Sequence, residues 1–162
     1  METAHTIADL LDQGRKFNLI YIRMLDPARL HERYTFNGME MNSAQWIIGH
    51  LAWSEAGMVL GLCGGQIPKW PWLEQFAAGK PAPDELELPA FPGWTAQIAD
   101  LHQRCLDHIR QQSAEDLATP TYVPVANWHT TRQKALYHAV RHESFHTGQL
   151  GWIAKVQGGK TP

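Results

Sequence analysis

The sequence predicts an all-α fold, a four-helix bundle. Three observations carry that prediction. Four long segments repeat apolar residues at steps of three and four, the period of a helix with one buried face. No segment alternates apolar and polar residues as a half-buried strand does. Proline, glycine and asparagine fall at the joins between the periodic segments rather than inside them. With 162 residues, 44% hydrophobic and 19% charged, the chain is long and apolar enough for one ordinary core. A single helical domain over residues 1–162 is therefore expected.

The first helix is expected from about Thr3 to Leu25, on the spacing of Ile7, Leu10, Leu11, Phe17, Tyr21, Ile22 and Leu25, and Asp26-Pro27 ends it. The stretch from Leu30 to Met41 contains the turn signal Asn37-Gly38. The second helix opens at Asn42-Ser43, either of which can cap the free amides of a first turn, and ends at Gly64-Gly65. From Gln66 to Pro92 the chain reads as irregular. Six of its ten prolines lie there, and at most one short helix fits, around Leu73 to Ala78. A connection of this length is either a surface wrap that closes the bundle or a loop that covers a site. The third helix is expected from Trp94 to Gln112, with Trp94, Ile98, Leu101, Cys105 and Ile109 on one face. A linker follows from Ser113 to His129. The fourth helix starts near Thr130, where Thr130-x-x-Gln133 has the form of a capping box, and runs to about Val156. Periodicity does not choose between simple up-down topology and a crossover connection.

Composition excludes several classes of function. The formal net charge is −2 and no polybasic run occurs, so no nucleic-acid partner and no anionic membrane surface is expected. No apolar run approaches the ~18 residues of a membrane span. The N-terminal segment carries acids early and lacks an apolar leader, so a cytoplasmic location is expected. Cys63 and Cys105 then read as reduced, partly buried thiols.

The nine histidines become informative once placed. On the fourth helix the inward stripe reads Ala135, Ala139, His142, His146, Gln149/Leu150 and Ile153. Two imidazoles four residues apart therefore sit side by side where a core should be. A buried ring without partners costs about 1–3 kcal/mol, and two converging ring nitrogens suit a metal ion. On the second helix His50 lies between Trp46 and Trp53, again a polar ring on an apolar stripe. Facing helices of a bundle can bring His50, His142 and His146 to one point. Three histidines leave coordination positions open, which separates a reactive site from a closed structural one. The alternative is three core histidines, each satisfied by its own hydrogen bonds.

His142-Glu143-Ser144-Phe145-His146 also matches H-E-x-x-H, the zinc-protease helix. None of the 16 residues after His146 is His, Asp, Glu or Cys, so a third ligand must come from upstream. Glu143 lies about 100° round the helix from His142 and reads as pointing out of the core. No strand is expected to hold a peptide, and the protease reading is set aside.

Two stretches resemble the signatures of a known family. Residues Asn42 to Trp53, reading NSAQWIIGHLAW, are similar to the second-helix signature of the DinB-like (damage-inducible, YfiT-like) metal-binding superfamily. Residues His142 to Leu150, reading HESFHTGQL, are similar to its fourth-helix signature. The resemblance covers about residues 5 to 156. It implies a DinB-like four-helix bundle with a crossover-type connection, often a homodimer. It also implies a divalent ion on His50, His142 and His146, commonly zinc or nickel. Members with known activity include thiol-dependent S-transferases and a maleylpyruvate isomerase, which use low-molecular-weight thiols. The helical domains of ergothioneine-pathway sulfoxide synthases are similar and hold iron on the same His pattern.

The expected function is accordingly that of a metal-dependent enzyme acting on a small molecule, as a thiol S-transferase or a hydrolase. The alternative is a metal- or thiol-binding stress-response module without catalysis. Trp46 and Trp53 read as pocket walls or as bundle core. His138 and Gln149 read as substrate- or water-holding neighbours or as packing. Glu55 and Arg141 read better as solvated residues than as substrate contacts. Trp70, Trp72 and Trp128 lie in linkers that can overhang the site. Neither cysteine has a second thiol at ligand spacing.

Overall fold

The computed structural model describes residues 2–80, 88–122 and 130–159. Helix α1 spans Glu2–Ile22 and buries Ala4, Ile7, Ala8 and Leu11, then Arg15 and Asn18 on the same stripe. Its expected apolar face is corrected at two positions: Leu10 and Phe17 are exposed. Asp26 ends the segment by capping a 3-10 turn, Pro27–Arg29, through the Ala28 amide. The Asn37-Gly38 signal closes a hairpin of two-residue strands, β1 (Thr35–Phe36) and β2 (Met39–Glu40), with Thr35 opposite Glu40. Both turn residues have positive φ, 49° and 78°, the geometry that matches strand twist in a tight hairpin. Strands this short carry no alternation for a sequence pattern to detect.

Helix α2 spans Ala44–Glu55. Ser43, rather than Asn42, caps it by accepting from the Trp46 amide. It does not continue as α-helix to the glycines but passes into a π-helical stretch, Ala56–Gly61, where the Leu62 amide reaches back five residues to the Gly57 carbonyl. The Pro-rich connection contains the expected short element as a 3-10 turn, Leu73–Phe76. Trp72 and Phe76 are core, and Trp70, half-buried, stacks on Trp72 with centroids 5.4 Å apart. Trp72 and Phe76 pack on Trp94, and the Trp72 indole donates to Gln97 at 2.8 Å. Residues 81–87 of this loop lie outside the described residues, as does Trp128.

Helix α3 spans Phe91–Arg110, and all five expected face residues are buried. The second linker holds an unexpected one-turn helix, α4 (Ala114–Ala118), closed by a capping box of Ser113 and Asp116. Helix α5 spans Arg132–Val156. Its cap is Thr131, which accepts from the Lys134 amide, one residue later than expected. Helices α1 and α2 each pack against both α3 and α5, so the four long helices enclose one apolar core. Among the described residues no helix is long and apolar enough to cross a membrane.

A band of buried polar side chains crosses this core. Arg15 from α1 bonds Glu55 of α2 at 2.7 Å and Glu143 of α5 at 2.8 Å. Asn18 donates to Glu143 at 2.6 Å, and His102 of α3 meets Glu55 at 2.6 Å. Each long helix supplies a member. Two sequence expectations are corrected here: Glu55 is not on a solvated face, and Glu143 does not point out of the core. Both are 2% exposed. Glu143 faces α1, and a Cβ on Gly14 would stand 3.0 Å from its side chain. Arg141, by contrast, is exposed as expected.

Candidate metal centre

His50 sits mid-way along α2, and His142 and His146 on successive turns of α5. The packing of α2 on α5 brings the three rings together. One ring nitrogen from each lies within 4.8 Å of the others. His50 Nε2 and His142 Nε2 are 3.3 Å apart. The rings of His142 and His146 have centroids 4.5 Å apart.

The hydrogen bonds behind the rings decide which nitrogens face inward. His50 Nδ1–H donates to the Phe76 carbonyl at 2.9 Å. His146 Nδ1–H donates to Gln149 Oε1 at 2.6 Å. Each bond fixes the tautomer, leaving Nε2 with a bare lone pair, the arrangement that surrounds metal-binding imidazoles. Two nitrogens at 2.0–2.1 Å from a shared tetrahedral ion stand about 3.4 Å apart. The 3.3 Å between His50 and His142 fits that spacing. Burial also keeps the rings neutral. It lowers His50, and with the neighbouring rings it pushes His142 down to about 3. His146 falls to about 4, burial outweighing the opposing bond to Gln149. Neutral imidazole is the form that binds metal.

The Pro-rich loop takes part through Phe76. Gly49 makes room for it: a Cβ there would lie 2.5 Å from three atoms of the Phe76 ring. That ring is buried against Trp94 and cannot swing aside. Gly49→Ala is expected to displace the Phe76 carbonyl from His50 while leaving every ligand in place. The overpacking should cost about 1–3 kcal/mol in urea unfolding, and metal affinity in a competition titration should fall about 10- to 100-fold. Unchanged affinity would show that the carbonyl does not orient His50.

A cavity of about 340 Å³ opens beside the trio. His50, His142, Ser54 and His138 line its polar side, and Trp53, Gly57, Met58, Leu62 and Ala78 its apolar wall. The Ser54 hydroxyl lies 3.3 Å from His50 Nε2. Of the four pocket residues expected from sequence, Trp53 and His138 line this cavity. Trp46 stacks flat on His50 at 4.4 Å instead, and Gln149 buttresses His146 and lines a separate groove with Phe145 and Trp152. Sequence reasoning did not anticipate Phe76 or Ser54. Ser54 follows His50 by one helical turn, the same spacing that flagged His146.

The cysteines stay out of the site. Both are free and buried, and burial raises Cys63 to about 12 and Cys105 well above the ordinary thiol value. Among the described residues the three histidines form the one cluster of this kind. A family model described as the DinB superfamily matches residues 10–150. No curated protein matches the chain.

Proposed function

The chain belongs to the DinB superfamily, and on that premise we propose that it is a metal-dependent enzyme whose divalent ion, zinc or nickel ahead of iron, is held by His50, His142 and His146. The reaction we assign is transfer of a thiol to a small electrophile: a C–S bond forms, the bond from that carbon to its leaving group breaks, and the thiol's proton passes through a base to the departing group. One observation carries the reading: three inward ring nitrogens, two of them fixed from behind, converge beside a cavity that His50 and His142 line and that can admit a substrate.

When bound, the ion supplies Lewis acidity that lowers the pKa of an incoming thiol toward neutrality. The chain's own residues do the rest. His50 and His146 hold their Nε2 atoms inward through Phe76 and Gln149. Ser54, one turn beyond His50, presents a hydroxyl at the edge of the trio that can take or return a hydrogen bond from the entering group. His138 lines the cavity beside His142, with ring centroids 5.8 Å apart, where an imidazole can accept the proton a thiol gives up. Trp53 and Met58 keep water off the reacting atoms.

The non-catalytic alternative makes the ion structural. The apolar core and the ionic band that already join the four helices argue against a fold that depends on it. The test is metal analysis of protein purified without added metal or a His-tag, followed by chelation. We expect stoichiometric divalent metal, its removal with the far-UV circular dichroism of the helices retained, and thiol-dependent transfer restored on reloading. Unfolding on chelation would favour the structural ion. Absence of metal after reconstitution would remove the basis for the enzyme.

A further inference from the structure

The cavity beside the trio differs from what a charged thiol needs. Its wall is Trp53, Gly57, Met58, Leu62 and Ala78, and among the described residues lining it there is no Lys, Arg, Asp or Glu. Ser54, His138 and two of the ligand rings are its polar groups, and Ser54 and His138 each stand beside a ligand ring. At about 340 Å³ it stands at the small end of ligand pockets.

We propose that the molecule admitted here is a small thiol with an apolar body of one to two aromatic rings and no charge at its far end. A thiol charged there is excluded. The proposal rests on the metal reading above, because the sulfur is what the ion holds. One thiolate meets only half of a divalent ion's charge, and what remains is within reach only of a group close to the sulfur. A carboxylate at the far end of the molecule would lie against Trp53, Met58 and Leu62, where no Lys or Arg among the described lining residues receives it. An ionised group placed on such a wall loses its hydration without compensation, whereas a ring gains from burial there. Trp53 adds an aromatic face suited to stacking.

Gly57 gives a clean way to test the wall. It lines the cavity, and a Cβ built on it meets nothing within 4 Å, so a larger side chain grows into the cavity without displacing the core. The probes are phenylmethanethiol, neutral and apolar, and para-carboxyphenylmethanethiol, the same ring with a carboxylate at its far end, out of reach of the ion. Each is titrated calorimetrically into metal-loaded and metal-free protein, wild type and Gly57→Leu, with Gly57→Ala as a milder second variant. We expect phenylmethanethiol to bind the loaded wild type at least about tenfold more tightly than its para-carboxylate. Gly57→Leu should lose at least about tenfold of that affinity with metal content unchanged, and Gly57→Ala should fall between. Equal or tighter binding of the para-carboxylate, or wild-type binding by Gly57→Leu, would overturn the proposal while leaving the metal site standing. If the chain held no metal, phenylmethanethiol binding to the metal-free protein that Gly57→Leu abolishes would still support the cavity's selectivity, and its failure there would overturn it.

Discussion

Replacing Arg15 by methionine is expected to destabilise the chain by about 3–5 kcal/mol at neutral pH, the usual result of removing one partner from a buried ion pair. Methionine fills much of the same volume, so the loss is electrostatic. Glu55 and Glu143 are both 2% exposed and both bond the guanidinium. Burial pushes Glu55 up, yet Arg15 and His102 outweigh it and hold its carboxyl below the ordinary value of 4.5. Burial also raises Glu143, and there Arg15 opposes without prevailing. Without Arg15 the two carboxylates face each other across a dry core, and at least one must take a proton to fold. The sign of the pH dependence follows. A carboxyl raised in the folded state binds more protons than in the unfolded chain, so the variant should regain stability as pH falls from 7 toward 4.5. Adding Glu143→Gln should restore part of the loss, since that removes one unpaired charge. Urea unfolding at pH 7 and pH 5 reads all three effects. A variant as stable as wild type at pH 7 would mean the band is replaceable by apolar packing.

His142→Ala is expected to abolish stoichiometric metal. Loss of an orienting partner costs metal sites about 10- to 100-fold in affinity, and loss of a ligand should exceed that. Gln149→Leu makes the comparison, because Gln149 touches the back of His146 and not the inward nitrogens. Competition against a chelator of known affinity should rank wild type above Gln149→Leu, and Gln149→Leu above His142→Ala. The fold should survive in both, since His142 is only partly buried and takes no part in the ionic band. Undiminished metal in His142→Ala would remove that residue from the site.

The trio was legible in the sequence because stripe periodicity places His142 and His146 among Ala135, Ala139 and Leu150, all of which are buried. The ionic band was not, although the same logic reaches it. Ile7, Leu11, Arg15 and Asn18 step along one face of α1 at intervals of four, four and three, and all four are buried. A charged residue on such a stripe usually snorkels outward, so the stripe alone does not mark Arg15 as buried. Its partner, Glu143, is 128 residues away in sequence, a distance across which no periodic signal operates. Glu143 was placed correctly at about 100° from His142, but that direction meets α1 and not solvent. The Phe76 carbonyl was hidden for a different reason. A backbone acceptor has no residue type, and only the tightness at Gly49 hints that a ring is pressed there.

The π-helical stretch from Ala56 to Gly61 has a consequence for descent. A π turn is an α-helix carrying one residue more than its hydrogen-bond ladder requires, and it commonly marks an inserted residue at a functional site. Deleting that residue would close the ladder as ordinary α-helix, with Leu62 beyond it and His50 before it keeping their faces, because the widened turn is what absorbs the extra residue. The stretch of cavity wall between them, Gly57 and Met58, is what changes shape. A single-codon deletion at this point therefore remodels the cavity without moving the histidines.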